Sequence, residues 1–431
     1  MLAPILIFDI PSSGSGGPLM DWLIVQKIPY FLLVRNKEQT NRLLSEEAKR
    51  DVVMHECNPF THESIVLLLE QQGITHLQGV LCALDGLMPT AARIAQQFNC
   101  PFALPEIIAV WSDKGLARQF CQQHHIAVPN YAWITSTHHD DIAHWSNFPA
   151  IIKPRRGAGG LGVQRVDCTE DILRFFAERQ QTFDANFWMI EQLLSGPIFS
   201  VEGLVHLNEM HVFGISDRTW GAQPYFVEEG VNFPVLHGTQ LEKELIAFTD
   251  HLIRESQFHH GFFHIEIMAT PEGLFLIEFN LRYGGPLPMQ IEAAYGVDFY
   301  AGLYALCCGN KPQWNDVKFG SSVFYLYPSK VGVLKKIDTR IFEQYPEVYL
   351  YRMNPNRTIG DTIRPVTSFK DYLCLVYVKA ENAEISHAVV RALRSEFAEA
   401  VCIEPLPKIG HKQSLTLFGR VKRKIKRTLK L

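Results

Sequence analysis

The stretch that decides the fold reads FHIEIMATPEGLFLIEFNLRYGG and covers residues 263–285. It predicts two paired strands, because a turn segment, TPEG, separates two apolar runs of strand length. Glu278 and Asn280 are two residues apart, so their side chains leave the same face of the second strand. Pairing through the turn can bring Glu266 onto that face, and Arg282 follows on it if the strand continues.

These residue types point to Mg²⁺ and phosphate chemistry. Glu266, Glu278 and Asn280 would supply three oxygen ligands and leave room for waters and phosphate oxygens, which suits Mg²⁺. The planar guanidinium of Arg282 can bridge an acyl phosphate or a leaving phosphate. The alternative is an edge strand with solvated carboxylates. However, the apolar runs FFHI, LFLI and EF flank these carboxylates, so their charges would be buried without a partner, which is costly.

A second motif, IIKPRRGAGGLGVQRV, places a lysine and a glycine-rich loop between two strands. GAGGLG matches the dinucleotide-binding pattern, but the β-branched run VQRV follows it where that pattern needs a helix. Protein kinases carry their lysine on the next strand, whereas Lys153 precedes the glycines. The motif therefore predicts a mobile flap over a triphosphate, with Lys153 as a point charge. An ordinary glycine-rich hairpin with an exposed lysine remains the alternative.

The first part of the chain, residues 1–108, alternates short apolar runs with helical stretches. The predicted strands are PILIFDI, PYFLLVR, DVVMHE, LQGVLCAL and CPFAL, and this alternation implies a parallel, doubly wound sheet. PSSGSGG follows the first strand, where such sheets bind ligands, so it is either a ligand loop or a flexible turn.

The later part of the chain adds further elements. Helical periodicity covers residues 107–130, 241–257 and 289–308, and the runs FWMIEQLL, FSVEGLVH and MHVFGISDR predict strands. After Pro312, the strands SSVFYLY and YLCLVYV and a helix over 385–398 indicate a smaller α+β unit.

Composition limits the class of protein. A chain of 431 residues is too long for one core, and 47% hydrophobic with 20% charged residues is typical of soluble proteins. No apolar run approaches the ~18–20 residues that span a bilayer, and the amino terminus lacks a basic n-region. Nine cysteines without a CxxC pair indicate reduced thiols and a cytoplasmic location.

The charge distribution is uneven. Eight of the 41 Lys and Arg residues lie between Lys412 and Lys430 with no acid among them, which leaves a strongly acidic remainder. An acidic body argues against a nucleic-acid binder. Residues 411–431 predict a basic amphipathic helix, which could contact an anionic membrane surface, an acidic protein or the chain's own body, or could be a solvated terminus. A homo-oligomer is compatible with all of these observations.

The motifs together resemble one family. WSDKGLARQF with Lys114, Lys153 with GAGGLG, IEQLLSGPIFSVEG, HIEIM and IEFNLRYGG are similar, in this order and spacing, to the ATP-grasp superfamily. Its carboxylate–amine ligases, such as L-amino-acid ligases and dipeptide synthetases, are the closest branch. The resemblance implies an α/β and α+β architecture. The implied parts are a Rossmann-like domain at 1–108, an ATP-grasp domain at 109–315 with its lid at about 120–190, a small C-terminal domain at 316–410 and the tail.

The family pattern also implies residue roles. Two lysines would contact the phosphates, the glycines would cover them, and residues 191–194 would hold the adenine amino group through their backbone and acid. The ATP-binding residues on this basis are Lys114, Lys153, Gly157, Gly159, Gly160, Gly162, Glu191, Gln192, Leu193 and Leu194. Two Mg²⁺ ions, with Mn²⁺ as an alternative, would occupy the predicted metal site, and Arg282 would be catalytic. Ile198 departs from the pattern, since many relatives carry there an acid that holds the ribose.

The resemblance implies ATP-dependent joining of a carboxylate to an amine through an acyl phosphate, with release of ADP and phosphate. Phosphoryl transfer depends on positioning and charge neutralisation, so a reactive nucleophile is not expected. Arg218, Glu228 and Glu229 are candidates to hold an amino-acid substrate, or are plain surface charges. A non-catalytic ATP-binding module remains an alternative because of Ile198. A carboxylase of the biotin-carboxylase type is another, although IEFNLRYGG lacks the acid–histidine continuation of those enzymes.

Overall fold

The structure is a computed structural model that describes residues 3–11, 15–135, 142, 144–157, 160, 162–179, 187–221 and 227–406. Gly159 and the basic segment 411–431 lie outside the described residues. Within the described part, no helix is long and apolar enough to cross a membrane. The strands of this part form four sheets.

The first sheet is parallel and has the strand order β3-β2-β1-β4. Its strands are β1 (Ile5–Phe8), β2 (Tyr30–Val34), β3 (Met54–Glu56) and β4 (Gly79–Leu81). The helices around it are α1 (Gly16–Val25), α2 (Lys37–Asn41), α3 (Ala48–Asp51), α4 (His62–Gln71) and α5 (Met88–Gln97). β1 and β4 are buried along their whole length, as expected for parallel strands covered on both faces. The predicted Rossmann-like start is therefore confirmed.

Two predictions for the next segment are wrong. The residues of CPFAL form no strand, because Pro101 cannot donate a ladder hydrogen bond and Leu104 already caps the helix α6 (Pro105–Trp111). The single helix predicted over 107–130 is divided, because the Asp113 side chain accepts hydrogen bonds from Gly115 N and Leu116 N. This cap starts a new helix, α7 (Lys114–Gln123).

The second sheet is antiparallel, with the order β5-β8-β6-β7. It consists of β5 (Tyr131–Trp133), β6 (Ala150–Pro154), β7 (Gln164–Val166) and β8 (Trp188–Gln192), and the helix α8 (Thr169–Arg179) accompanies it. Phe175 of α8 contacts Trp188 of β8 edge to face, with ring centroids 5.1 Å apart. The glycine loop connects β6 to β7, as its flanking strands predict.

The largest sheet has eight strands, in the order β13-β12-β9-β10-β11-β14-β18-β16. These are β9 (Ile198–His206), β10 (Glu209–Trp220), β11 (Glu228–Val235), β12 (His260–Thr270), β13 (Gly273–Asn280), β14 (Gly320–Leu326), β16 (Val348–Met353) and β18 (Cys374–Ala380). The helix α9 (Gln240–Ser256) separates β11 from β12 in the chain. The paired strands predicted at residues 263–280 are β12 and β13, in the middle of the chain but at one edge of the sheet.

The C-terminal part shares this sheet. A smaller sheet of β15 (Gly332–Ile337), β17 (Thr362–Ile363) and β19 (Val401–Glu404) lies beside it, and the helix α12 (Ala383–Ala400) packs on β14 and β18. The large sheet therefore continues across the boundary predicted at 315–316. The helix predicted over 289–308 is in fact two, α10 (Leu287–Tyr295) and α11 (Phe299–Cys307), because Gly296 takes a left-handed conformation, with φ of 66°.

Substitution of Phe263 measures how much a core side chain of the large sheet contributes to the free energy of unfolding. Phe263 is fully buried and pairs with Gly203, whose missing side chain leaves room for the ring. We expect Phe263→Ala to lower the free energy of unfolding by about 3–5 kcal/mol, because it removes a buried ring and leaves a cavity. Urea denaturation followed by circular dichroism measures this. Val25→Ala, at a side chain that is 73% exposed, should change it by less than about 0.5 kcal/mol, and equal effects would contradict this view of the core.

Candidate functional site

A cavity of about 760 Å³ opens between the first sheet, the second sheet and the edge of the large sheet. Its volume lies within the range of small-molecule sites. Ile198 lines this cavity. The predicted site residues that also line it are Lys114, Lys153, Gly157, Gly160, Glu191, Gln192, Leu193, Leu194, Arg218, Glu228, Glu266, Glu278, Asn280 and Arg282. Gly162 and Glu229 are described but do not line it.

Two carboxylates face each other at the chemical centre of the cavity. Glu266 and Glu278 are directly paired across β12 and β13. Each has a cation of its own: Lys114 Nζ lies 2.8 Å from Glu278 Oε1, and Arg218 Nη2 lies 3.4 Å from Glu266 Oε1. Burial alone would raise the pKa of Glu266, but Arg218 and His264 outweigh it and lower the pKa to about 2. Glu266 therefore stays ionised.

The donor set fits Mg²⁺ completed by a ligand. Glu266, Glu278 and Asn280 offer carboxylate and amide oxygens on one wall of the cavity. The Asn280 Nδ2 atom is buried with no hydrogen-bond partner among the described residues, and as an N–H donor it suits a ligand oxygen, which leaves Oδ1 for the metal. Among the described residues, no group of three or more His, Cys, Asp or Glu side chains is arranged to hold a metal. A Mg²⁺ ion here would therefore rely on phosphate oxygens and waters, as it commonly does.

Lys114 connects this acidic wall to the glycine loop. It is the first residue of α7, and its Nζ donates to Gly157 O at 2.8 Å. The preceding residue, Asp113, is buried and accepts from Arg155 Nε and Nη2, both at 3.1 Å. The Lys114 backbone N–H also donates to Arg155 O at 2.9 Å. The start of α7 is therefore tied to the strand end that precedes the glycines.

Lys153 lies in a separate buried ionic chain. Its Nζ is 2.5 Å from Glu191 Oε2, and Arg118 Nε donates to Glu191 Oε1 at 2.8 Å. Burial lowers the pKa of Lys153 to about 8 although Glu191 opposes the shift, and the charge of Arg118 adds to it. Arg118 Nη2 also donates to Ile277 O at 2.8 Å, which links β8 to β13. Glu191 is almost fully buried and bound by two cations, yet it also lines the cavity, so the contact of its acid with adenine stays a prediction.

Arg282 is bound by an aspartate from the first sheet. Its Nε donates to Asp85 Oδ1 at 2.7 Å and its Nη2 to Asp85 Oδ2 at 2.6 Å. Burial disfavours the carboxylate, but Arg282 outweighs it and lowers the pKa of Asp85. Arg282 therefore lies in the cavity with a fixed orientation.

The predicted substrate residues separate into two sets. Arg218 pairs closely with Glu228, and its Nε donates to Ser200 Oγ at 2.9 Å, so most of its hydrogen-bonding capacity is used within the protein. Burial alone would raise the pKa of Glu228, Arg218 counteracts this, and the pKa remains raised. Glu229 points to the opposite face of the sheet, where it pairs with Arg394 of α12 at 2.5 Å. Glu229 thus contacts α12 and does not line the cavity, so its contact with substrate stays a prediction that this orientation does not support.

Sequence reasoning missed several residues of the site. His264 lies between Glu202, 2.7 Å away, and Glu266, 3.1 Å away, and both acids outweigh burial to raise its pKa to about 9. Its position two residues before Glu266 was the signal that could have indicated it, since both side chains share a face. Asp85 and Arg118 carried no such signal, because their partners are 197 and 73 residues away in the chain.

The chain is similar in sequence to several known proteins. Residues 146–288 match the family model described as ATP-grasp domain. The chain is 26% identical over 245 residues to the uncharacterized protein y4rH of Sinorhizobium fredii, covering 54% of this chain and 50% of that protein. It is 22% identical over 284 residues to human carnosine synthase 1, covering 61% and 34%. The chain thus spans half or less of the length of these two relatives.

A solved structure extends the likeness to almost the whole chain. The L-amino acid ligase from Bacillus licheniformis superposes with a TM-score of 0.74 at 16% identity, covering 94% of this chain and 99% of that one. At this identity the match shows a shared fold.

The Arg118–Glu191 pair yields a stability prediction. Arg118→Met should lower the free energy of unfolding by about 3–5 kcal/mol, because it leaves Glu191 with one buried cation instead of two. Urea denaturation followed by tryptophan fluorescence measures the change. The control is Arg42→Met, which removes an ion pair with Glu38 whose two side chains are 53% and 79% exposed. This variant should lower the free energy of unfolding by no more than about 1 kcal/mol. A similar cost for both variants would show that the buried chain does not hold the two sheets together.

Residue pattern, site geometry and overall fold therefore agree. The predicted resemblance to the ATP-grasp superfamily is confirmed, since residues 146–288 match the ATP-grasp domain model and the L-amino acid ligase structure shares the fold.

Proposed function

We propose that the protein is an ATP-dependent ligase that activates a carboxylate as an acyl phosphate and joins it to an amine. The observation that carries the proposal is the convergence of Lys114, Glu266, Glu278, Asn280 and Arg282 in one cavity. Cations for phosphate oxygens and oxygen ligands for Mg²⁺ thus lie around one point. This is the arrangement that phosphoryl transfer needs, since it depends on charge neutralisation and alignment rather than on a protein nucleophile.

The nucleotide would lie between the second sheet and β13. Lys153 and Lys114 would contact the phosphates, and the backbone of residues 192–194 would meet the adenine, with Met268 and Ile277 as apolar cavity walls. Ile198 also lines this region, so it would contact the nucleotide by packing rather than by a bond to the ribose. Bound Mg²⁺ would neutralise charge on the phosphates as the γ-phosphoryl group moves.

The reaction would proceed in two transfers. A carboxylate oxygen of the first substrate attacks the γ-phosphorus, the bond to the ADP oxygen breaks, and Arg282 steadies the transferred group. The neutral amine then attacks the carbonyl carbon, phosphate leaves, and the nitrogen loses a proton. The products are an amide, ADP and phosphate.

The amine would bind beside Glu228. Trp220 and Tyr325 line the cavity together with Glu228, and Trp220 Nε1 is buried without a partner among the described residues. A carboxylate beside two aromatic rings suits an ammonium group, through charge and cation–π attraction. Arg218 would then orient Glu228 rather than contact the substrate carboxylate itself, because it is already bonded within the protein.

Product analysis tests the ligase proposal. The purified protein, incubated with MgATP and a pool of amino acids, should release ADP and phosphate and form a new amide detectable by mass spectrometry. Glu278→Gln should reduce turnover on the order of 100-fold or more, since charge stabilisation of the transition state is lost, while nucleotide binding survives in part. Glu272→Gln, at the exposed turn of the same hairpin, is the matched control and should be unaffected. AMP and pyrophosphate as products, or binding without turnover, would refute the ligase.

The pKa of Lys153 predicts a pH dependence of nucleotide binding. In the free protein this ammonium loses its proton as the pH rises through about 8, whereas bound phosphates would keep it charged. The affinity for MgADP, measured by calorimetry, should therefore fall above pH 8, by up to about tenfold per pH unit. Lys153→Arg keeps its charge at every pH used, so its profile should be flat between pH 7.5 and 9.5. An equally steep decline in this variant would mean that Lys153 does not contact the phosphates.

A further inference from the structure

Asp85 is placed where the parallel sheet meets the phosphoryl-transfer centre. It begins a short 3-10 helix, Asp85–Leu87, that follows β4 and lines the cavity. The carboxyl ends of parallel strands are where such sheets place functional groups. The Asp85 side chain is 30% exposed, so it is accessible from the cavity, yet both its oxygens bond to Arg282.

The geometry of this pair leaves one part of the guanidinium available. An arginine has five N–H donors in a rigid plane. Asp85 takes Nε and one hydrogen of Nη2, and the Tyr283 carbonyl takes one hydrogen of Nη1 at 2.9 Å. These three bonds fix the plane of the group, and no other described residue bonds to Nη1 or Nη2, so the second hydrogen of each nitrogen can meet a phosphate oxygen.

Without Asp85, the long arginine side chain would lose its orientation. Its position would then rest on the single bond to Tyr283 O, and a phosphate would have to order the side chain at an entropic cost. A fixed guanidinium avoids this cost at the moment of transfer.

We propose that Asp85 is a positioning residue that holds Arg282 in the orientation required to bind the transferring phosphoryl group. The proposal rests on the proposed function, in which Arg282 contacts that group. It assigns to the first sheet a part in the chemistry through Arg282, although the family model matches only residues 146–288.

Nucleotide affinities test the proposal without knowledge of the substrates. Calorimetry compares MgADP with the non-hydrolysable ATP analogue MgAMPPNP, which adds the γ-phosphoryl group. Asp85→Asn and Arg282→Ala should each lower the affinity for MgAMPPNP about tenfold, as expected for loss of bonds to a charged group. Each variant should keep the affinity for MgADP within about twofold of the wild type. In the Arg282→Ala background, Asp85→Asn should add no further loss, because the two residues act as one unit.

The controls keep fold and charge effects apart. Asp51→Asn removes an exposed carboxylate at the end of α3 and should change neither affinity. Asp85→Glu keeps the charge on a longer side chain, so its affinity for MgAMPPNP should lie between those of the wild type and Asp85→Asn. This variant still tests the proposal if the asparagine variant folds poorly. Thermal melting of each variant identifies such a folding defect.

Several results would overturn the proposal. Tighter MgAMPPNP binding by Asp85→Asn would show that Asp85 competes with phosphate for Arg282. Equal weakening of both nucleotides would indicate a merely structural residue, and no weakening of either would show that Arg282 needs no partner. A further loss in the double variant would mean that Asp85 acts on the ligand independently of Arg282. If the wild type binds neither nucleotide, the proposed function itself fails, which is distinguishable from all of these results.

Discussion

The site depends on one electrostatic constraint, which is that Glu266 and Glu278 lie directly opposite each other on a largely buried hairpin. Like charges at this spacing repel each other, and the two side chains are only 14% and 26% exposed. Each acid therefore needs a cation from elsewhere in the protein. Lys114 supplies one from α7 and Arg218 supplies the other from β10. The helix before the second sheet and a central strand of the large sheet are thus tied to the same hairpin.

A second ionic chain uses the same helix for another purpose. Arg118 is four residues after Lys114, so both project from one face of α7, one helical turn apart. Lys114 reaches the acidic wall, whereas Arg118 holds Glu191, which in turn holds Lys153. The bond from Arg118 to Ile277 O ends next to Glu278. One helix face therefore sets the spacing between both lysines and β13, the strand proposed to bind metal.

The surroundings of Glu228, the proposed amine contact, are shaped by the last part of the chain. Tyr325 of β14 lines the same cavity, and the Tyr327 hydroxyl donates to Glu228 O at 2.7 Å. On the other face of β11, α12 holds the strand through the ion pair of Arg394 with Glu229. A buried polar chain adds to this hold, since Ser322 Oγ bonds both to Asn232 Oδ1 at 2.7 Å and to the hydroxyl of Ser386 in α12 at 2.6 Å. The C-terminal unit thereby positions Glu228 although it contributes none of the proposed phosphate contacts.

The sequence by itself determined the elements and the local spacings. Alternation along a strand is a local property, so Glu278 and Asn280 could be placed on one face from their positions alone, and the glycine loop between its two strands likewise. Glu266 joins that face only through a register shift, since Ile267 pairs with Leu276 but Glu266 pairs with Glu278. The strand prediction at CPFAL failed for a local reason, since its proline and the start of the following helix exclude a strand. The pattern could not separate Glu228 from Glu229, because β10 and β11 pair with a register shift just beside them.

Only the tertiary structure decided which charges meet. Asp85 with Arg282 and Arg118 with Glu191 join residues far apart in the chain. Periodicity reports which face of its own element a side chain occupies, but it contains no information on which distant element packs against that face.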